Sequence, residues 1–178
     1  LLHLIEAQIG NQAKYSHHAN SSYGIPFDIL GLSRKKLTPD EWLYLFFLAP
    51  FKGFKPVPKE KIYVVEADCD RPEEGKFLAS LLNPEITLWI NSSLTHSVNF
   101  DFLVKNKLFA SAEEAIANDF GYFLEYTKKL IIVNGDNPLI LKQLGRATIP
   151  AEIVTQEDLK SYKINENSTE FFIEDKKY

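Results

Sequence analysis

The stretch "IYVVEADCDRPEEGKFLASLLNPEITLWINSS", residues 62–93, decides the fold class. The runs "IYVVEA" (62–67) and "ITLWIN" (86–91) are short and apolar, as in buried strands. Between them, "EEGKFLASLL" has the pattern of a helix. Asn83-Pro84 ends that helix, because a residue that precedes proline disfavours the helical region. A strand, a helix and a second strand in this order predict a parallel β-sheet covered by helices.

The same alternation continues toward the C-terminus. "LIIVNG" (130–135) predicts a third buried strand. The helix before it, "AEEAIANDFGYFLEYTKK", opens with a capping box of Ser111 and Glu114, and the helix after it, "NPLILKQLG", closes at Gly145. "AEIVT" is a further strand, Thr155 caps a short "QEDLKSY" turn, and "TEFFIE" alternates like a half-exposed antiparallel strand. We expect an α/β fold, a mainly parallel sheet with helices on both faces, and a small antiparallel strand or hairpin appendage over 151–178.

The N-terminal part predicts two helices on either side of a polar loop. "LLHLIEAQIG" keeps helical register, and Gly10 suits its C-cap. Thr38 as N-cap, Pro39 at N1 and Glu41 at N3 form a capping box that opens the second helix. Between them, "HHANSSYGIPFDILGL" (17–32) places polar side chains ahead of a rigid Gly-x-Pro turn. The loop is either solvated or holds a ligand.

Composition narrows the class of protein. The chain has 178 residues, 45% hydrophobic and 13% aromatic, which is enough for the core of one domain and excludes disorder. A net charge of −4 does not indicate a protein that binds nucleic acid or an anionic membrane, since both attract basic surfaces. The one cysteine, Cys69, fits a reducing compartment, and the longest apolar run is too short to span a bilayer. We expect a cytoplasmic protein without membrane insertion.

Polar residues stand at the carboxyl ends of all three predicted parallel strands. Ligands of open α/β sheets bind at these ends. Carboxylates, amides and hydroxyls in such positions are what a phosphate, metal and nucleotide site requires. The three strand ends are Glu66-Ala67-Asp68, Asn91-Ser92-Ser93 and Asn134-Gly135-Asp136-Asn137.

Four motifs in chain order over residues 17–141 resemble the central ATP-binding domain of the Mur ligases. They are "NSSYGIPFDILGL", "VVEADCDRPEEG", "WINSSLTH" and "VNGDNPLI". In that family an Asn-rich loop ends in Gly-x-Pro, one strand ends in Glu, a second leads to a His, and a further strand ends in Asn-x-Asp-Asp/Asn-Pro. Within the family the chain looks most like the member that adds D-alanyl-D-alanine to a UDP-muramoyl tripeptide.

The resemblance implies a magnesium site. Glu66 and His96 match the catalytic positions that bind Mg²⁺ in the family, whereas the alternative for Glu66 is a strand-end salt bridge to a lysine. The family also carries a lysine, usually carbamoylated, whose expected place falls within 118–120. This chain has no lysine there. Asp119 is our candidate for a permanent replacement, since a carboxylate also offers anionic oxygens to a hard cation. The alternative is that Asp119 faces solvent.

The resemblance also implies two groups of binding residues. The first group binds the substrate or metal-bound water, unless it forms a self-bonded Asx or ST turn. The second holds the adenine or ribose of ATP, unless it is an ordinary Asn-Gly turn. The first group is Asn20, Ser21 and Ser22, and the second is Asn134, Asp136 and Asn137.

One departure from the family pattern concerns the phosphate cradle. No Gly-x-x-Gly-Lys-Thr/Ser motif occurs in the chain, although a P-loop would lie just upstream of a helix such as that at 1–10. We therefore expect residues 1–178 to be a partial central domain, with 1–10 the remnant of the helix after a missing P-loop. By itself this fragment should be inactive.

The implied function of the parent protein is an ATP-dependent carboxylate–amine ligase of peptidoglycan precursor synthesis, acting through an acyl phosphate. ATP and Mg²⁺ are the implied cofactors. The substrates would be a UDP-linked muramoyl peptide and an amino acid or dipeptide. A folylpolyglutamate- or cyanophycin-type ligase of the same superfamily is one alternative, although the "NSSYGIP" loop argues against the folate enzymes. A degenerate, non-catalytic nucleotide-binding domain is another, supported by the absent lysine.

Overall fold

The chain forms two compact units, residues 1–70 and 71–178, which we call the N-terminal and C-terminal units. A computed structural model describes the chain except at 18, 37, 55–61, 93–96, 167, 174–175 and 178, and at 171, 176 and 177 it describes the backbone only. Each unit contains its own parallel sheet. The α/β class predicted from the sequence is therefore confirmed.

The N-terminal unit combines three helices with a two-stranded parallel sheet. Its elements are α1 (Leu2–Ile9), β1 (Lys14–Ser16), α2 (Gly24–Ile29), α3 (Pro39–Gly53) and β2 (Tyr63–Val65). The two strands pair from Lys14 opposite Tyr63 to Ser16 opposite Val65. Strand β1 lies where only a loop was predicted, because three residues are too few to show an alternating pattern.

The Gly-x-Pro segment is the first turn of α2 and not a rigid turn in a loop. Pro26 is tolerated because the N–H groups of the first helical turn have no partner within the helix. Ile25 and Phe27 are buried. Phe27 packs with Leu32 and with Leu45 of α3 in the apolar core of this unit. Burial of these side chains thus gives a helix to a segment whose local sequence suggests a turn.

Helix α3 begins where the sequence predicts, but its cap is different. Thr38 is the N-cap residue, and Pro39 is the first residue of the helix. The Thr38 hydroxyl makes no capping hydrogen bond, and among the described residues it has no partner at all. Glu41 instead accepts hydrogen bonds from the backbone N–H groups of Lys35 and Lys36, at 2.6 and 2.8 Å. The predicted capping box is therefore wrong, because Glu41 caps the preceding turn.

The C-terminal unit alternates helices and strands and ends in a small antiparallel sheet. Its elements are α4 (Glu74–Leu82), β3 (Ile86–Trp89), α5 (Asp101–Lys105), α6 (Ala112–Phe120), α7 (Tyr122–Tyr126), β4 (Leu130–Asn134), α8 (Pro138–Gln143), β5 (Ala151–Val154), β6 (Leu159–Ile164), β7 (Thr169–Ile173) and β8 (Lys176–Lys177). Strands β3, β4 and β5 are parallel neighbours in that order. Strands β6, β7 and β8 are antiparallel, which confirms the antiparallel C-terminal part. The predicted start of this part at 151 is wrong, because β5 pairs with β4 in the parallel sheet.

Two other predicted boundaries in this unit were wrong. The single helix expected before β4 is divided into α6 and α7 at Gly121, where a Cβ atom would collide with the side chains of Arg146 and Gln143. The turn predicted after Thr155 is also shorter than expected. Thr155 and Asp158 form a capping box around a single 3-10 turn, and the remaining residues of the predicted turn belong to β6.

The main core of the C-terminal unit lies against the central strand β4. Along this strand Ile131 and Val133 are buried, and they alternate with half-buried neighbours. Helices α6, α7 and α8 contribute the apolar side chains that pack with them, together with Trp89 of β3. The buried members of this cluster are Trp89, Ala117, Leu124, Ile131, Val133 and Ile140. In the part of the chain that the structure describes, no helix combines the length and the apolar character that crossing a membrane requires.

Candidate functional site

The N-terminal unit brings the Asn-rich loop next to the acidic strand end. Because β1 and β2 are parallel, residues 17–22 and 66–70 leave the sheet at the same end. The backbone N–H of Asp68 donates to the carbonyl oxygen of Asn20 at 2.7 Å. Two motifs that are more than forty residues apart in the sequence are thus neighbours at the carboxyl end of one parallel strand pair.

Glu66 is the exposed carboxylate of this strand end. Within the described ranges, no hydrogen bond or ion pair engages its side chain, so the alternative of a salt bridge to a lysine finds no support there. Magnesium is bound in proteins by one or two carboxylates together with water and substrate phosphates. The exposed carboxylate of Glu66 fits that requirement.

The side chains of the Asn-rich loop divide between local structure and the surface. Ser21 accepts a hydrogen bond from the backbone N–H of Gly24 at 3.2 Å, which is the self-bonded turn considered as the alternative for this loop. Ser22 is half-buried, and Asn20 is exposed. Asn20 is therefore the residue of this group best placed to meet a ligand.

At the carboxyl end of the C-terminal unit's parallel sheet, Asn134 and Asp136 join all three strands. The Asn134 side chain donates to the carbonyl of Ile90, just after β3, at 3.0 Å. Its Oδ1 accepts from the backbone N–H of Asp136 at 2.9 Å. Oδ2 of Asp136 accepts in turn from the N–H of Gln156, just after β5, at 2.7 Å. These side chains stabilise the strand ends, as the alternative of a structural Asn-Gly turn requires.

Asn137 is the N-cap of α8. Its Oδ1 accepts from the backbone N–H groups of Leu139 and Ile140, at 3.0 and 3.4 Å. The Nδ2 group of Asn137 and the Oδ1 atom of Asp136 have no hydrogen-bond partner among the residues that the structure describes. One amide donor and one carboxylate acceptor thus remain for a ligand, and the predicted contact with adenine or ribose stays a prediction.

Asp119 is buried, so the alternative prediction that this residue faces solvent was wrong. It is 3% exposed. Its Oδ1 accepts from the backbone N–H of Glu73 at 3.0 Å, and its Oδ2 accepts from that of Gly75 at 2.8 Å. The side chain satisfies two N–H groups at the start of α4 that the helix itself leaves unpaired. A magnesium role would require Asp119 to exchange these bonds for a cation, and that role stays a prediction.

The remaining predicted ligand, His96, lies outside the described residues. Ser92, which precedes the gap at 93–96, is 5% exposed, and its hydroxyl has no hydrogen-bond partner in the part of the chain that is described. Buried hydroxyls are usually hydrogen-bonded. Among the described residues, this end of β3 therefore has an unsatisfied polar atom where the sequence predicts a ligand site.

A second group of metal-ligating side chains was missed in the sequence. His3, Glu6 and His17 each place one ligand atom within 4.8 Å of the others. The signal that could have found them is local, since His3 and Glu6 lie three residues apart on one helix and share a face. The third member, His17, follows β1, and that strand was itself not predicted.

Comparisons with known protein families, with curated proteins and with solved structures gave no match.

Proposed function

We propose that this chain is part of the central, nucleotide-binding region of an ATP-dependent carboxylate–amine ligase of peptidoglycan precursor synthesis. In the reaction, the γ-phosphoryl group of ATP passes to a carboxylate of a UDP-linked muramoyl peptide, and ADP leaves. The amine of an amino acid or dipeptide then attacks the acyl phosphate, phosphate leaves, and an amide forms. D-alanyl-D-alanine is the proposed acceptor, and the cytoplasm is the proposed location.

The observation that carries this proposal is the pairing of the Asn-rich loop with the Glu66 strand end. The hydrogen bond between Asp68 N–H and the Asn20 carbonyl fixes the loop beside the exposed carboxylate. Both motifs belong to the Mur ligase pattern in the sequence. Their contact places both at the carboxyl end of one parallel strand pair, where ligands of open α/β sheets bind, and this supports the proposal.

Glu66 has the clearest role in the proposed reaction. Mg²⁺, when bound, would neutralise negative charge on the transferring phosphoryl group. Glu66 would hold that ion from the end of β2, and the exposed amide of Asn20 would orient the substrate beside it. His96 is the other proposed ligand.

The nucleotide would be held by the polar ends of the other parallel sheet. The Nδ2 of Asn137, which has no partner among the described residues, is a donor for an adenine or ribose acceptor. The second carboxylate oxygen of the exposed Asp136 is an acceptor for a ribose hydroxyl. Asn134 supports both, because it fixes the turn that carries them.

A non-catalytic nucleotide-binding domain is the second candidate, and one observation favours it. Asp119, the only acidic residue in the segment where the family has its carbamoylated lysine, is bonded to two backbone amides. A ligase of this type would then have to hold its second magnesium ion by other residues. Folylpolyglutamate- and cyanophycin-type ligases share the nucleotide chemistry and differ in the acceptor.

Turnover by the full-length protein that carries this chain tests the proposal. We expect phosphate release that requires ATP, Mg²⁺, UDP-muramoyl tripeptide and D-alanyl-D-alanine together. Release with a folate substrate and glutamate instead would identify the folate-type alternative, and no release with any acceptor would favour the non-catalytic domain.

Variants of the metal ligands sharpen this test. Glu66→Gln and His96→Ala should each lower kcat by about 100-fold or more, as expected when electrostatic stabilisation of the transferring group is lost. Glu152→Gln, an exposed carboxylate on β5, is the matched control and should leave kcat unchanged. Near-normal rates in both ligand variants at saturating Mg²⁺ would show the assignment to be wrong.

A further inference from the structure

We infer that His3, Glu6 and His17 form a Zn²⁺-binding site in the N-terminal unit. The site shares no residue with the proposed ligase machinery, so either proposal can fail without the other. Two of its ligands come from one helix, and the third follows the strand that comes next in the chain. It is the one group of at least three potential metal ligands among the residues that the structure describes.

One nitrogen of each histidine lies close to the Glu6 carboxylate. The Nε2 atom of His17 lies 3.1 Å from Oε2 of Glu6, and Nδ1 of His3 lies 3.6 Å from the same oxygen. The two imidazole rings are stacked, with centroids 4.8 Å apart and planes inclined by 19°. Each ring thus has one nitrogen within 3.6 Å of the Glu6 carboxylate.

These separations are close to those of a tetrahedral zinc site. With metal–ligand bonds of about 2.0–2.1 Å, neighbouring donor atoms of a tetrahedron are about 3.3 Å apart. Two of the separations here, 3.1 and 3.6 Å, already bracket that value. The pair formed by the two histidines, within 4.8 Å, must close further. This requires rotation of the His3 side chain, which solvent leaves room for because that side chain is 85% exposed.

Regular structure holds the backbone of the three ligand residues in place before any ion binds. His3 and Glu6 are three positions apart in the sequence, which puts them on one face of α1. The helix ends at Ile9 and is capped by Gly10, which has a φ of 60° and donates its N–H to the Glu6 carbonyl. The hydroxyl of Tyr15 bonds the Gly10 carbonyl at 2.9 Å, and its ring lies 6.3 Å from that of His17. Pairing of β1 with β2 fixes the backbone just before His17.

The donor set indicates zinc over magnesium. Two imidazoles and one carboxylate suit Zn²⁺, whereas Mg²⁺ requires oxygen ligands. Three protein ligands leave one tetrahedral position for water. The partly exposed side chains of Glu6 and His17, at 43% and 27%, give an ion access from solvent. The ion would join α1 to the start of the Asn-rich loop and so rigidify this end of the unit.

Direct binding to the 178-residue chain tests the inference. The chain is stripped with EDTA, and ZnSO₄ is titrated by isothermal calorimetry, with MgCl₂ as the comparison ion. We expect one Zn²⁺ per chain and no saturable Mg²⁺ binding under the same conditions. Substitution with Co²⁺ should give the intense visible absorption of a tetrahedral site.

Single variants identify the ligands. His3→Ala, Glu6→Gln and His17→Ala should each weaken Zn²⁺ binding by at least about tenfold, since even second-shell changes at metal sites cost about 10–100-fold in affinity. His18→Ala and Glu85→Gln are the matched histidine and carboxylate controls and should bind as the parent chain does. Circular dichroism of each variant confirms that the fold is retained.

Three results would overturn the inference. One is the absence of saturable Zn²⁺ binding by the folded parent chain. The second is unchanged affinity in any of the three ligand variants. The third is a loss in His18→Ala as large as that in His3→Ala, which would show that another set of histidines holds the ion.

Discussion

At the scale of single residues, Asp28 shows how a polar network fixes strand pairing in the N-terminal unit. The hydroxyl of Tyr63, on β2, donates to Oδ2 of Asp28 at 2.7 Å, and Nζ of Lys14, on β1, lies 3.2 Å from the same oxygen. Nζ of Lys14 also donates to the Asp28 carbonyl at 2.7 Å. One α2 side chain thus bonds both strands. No local pattern predicts this, because the partners are 14 and 35 residues away.

The Tyr63 phenol should make stability depend on alkaline pH. Burial, followed by the hydrogen bond to Asp28, raises the pKa of Tyr63. A group whose pKa is raised on folding contributes stability in full below its unfolded pKa, about 10 for tyrosine, and loses it as pH rises further. We expect the free energy of unfolding in urea to fall more steeply above pH 10 in the parent chain than in Tyr63→Phe.

The exposed Tyr162 provides the control for this experiment. Tyr162→Phe should keep the pH dependence of the parent chain. At pH 8, Tyr63→Phe should also lose about 1–2 kcal/mol of stability through its hydrogen bond to a carboxylate. Equal slopes in all three proteins above pH 10 would show that Asp28 does not hold the Tyr63 proton.

Asp119 is the residue for which sequence and structure give different roles, and one substitution separates them. Asp119→Asn keeps one oxygen acceptor but turns an NH₂ group toward an N–H of α4. We expect a loss of about 1–3 kcal/mol in urea unfolding, the cost of a buried donor left unpaired. Asp101→Asn, at an exposed helix start, should change stability by less than about 0.5 kcal/mol.

A second measurement tests the magnesium role of Asp119. If the side chain serves only α4, the Mg²⁺ requirement of the full-length protein is unchanged in Asp119→Asn once its lower stability is allowed for. Unchanged stability with a markedly higher Mg²⁺ requirement would support the metal ligand predicted from the sequence and would contradict the capping role.

At the scale of secondary structure, the sequence predicts elements well where the local signal is strong. Strands β2, β3, β4 and β5 were all predicted, because each is apolar and bounded by polar or turn residues. The burial expected for the first three holds only for β4, since β2 is half-buried and β3 buries only Trp89. Strand β1 and helix α2 were missed for the opposite reason. Strand β1 is three residues long and gains its structure from β2. Helix α2 carries a glycine and a proline, and it forms because Ile25 and Phe27 are buried.

Asn137 at the start of α8 offers a test that separates capping from ligand binding. Asn137→Ala removes the acceptor of two backbone N–H groups and should cost about 1 kcal/mol of stability. Asn137→Asp keeps an acceptor oxygen and should retain stability, but it removes the amide donor proposed for the nucleotide. Both variants of the full-length protein should therefore have a higher KM for ATP. A normal KM in Asn137→Asp would remove Asn137 from the nucleotide site.

At the scale of the whole chain, the fold class can be predicted from the sequence, but the division of the chain into two units cannot. The alternation of apolar strands and helices predicts parallel sheets, and both units contain one. The boundary near Asp70 lies inside the acidic run after β2. Nothing in its composition marks a linker. Each unit is instead defined by contacts between residues that are distant in sequence. Phe27 packs with Leu45 in the N-terminal unit, and β3, β4 and β5 pair in the C-terminal unit.

The 178-residue chain should not turn over ATP, even though it folds. Its sequence contains no Gly-x-x-Gly-Lys-Thr/Ser motif, so it lacks the backbone cradle and the lysine that stabilise charge on the transferring phosphoryl group. Phosphate release from ATP and Mg²⁺ by the purified chain should equal that of a Glu66→Ala preparation. Activity in the parent chain that Glu66→Ala abolishes would mean that other residues form the phosphate site. Since Glu66 has no partner among the described residues, the substitution should leave the fold intact, and a loss of activity could not be ascribed to unfolding.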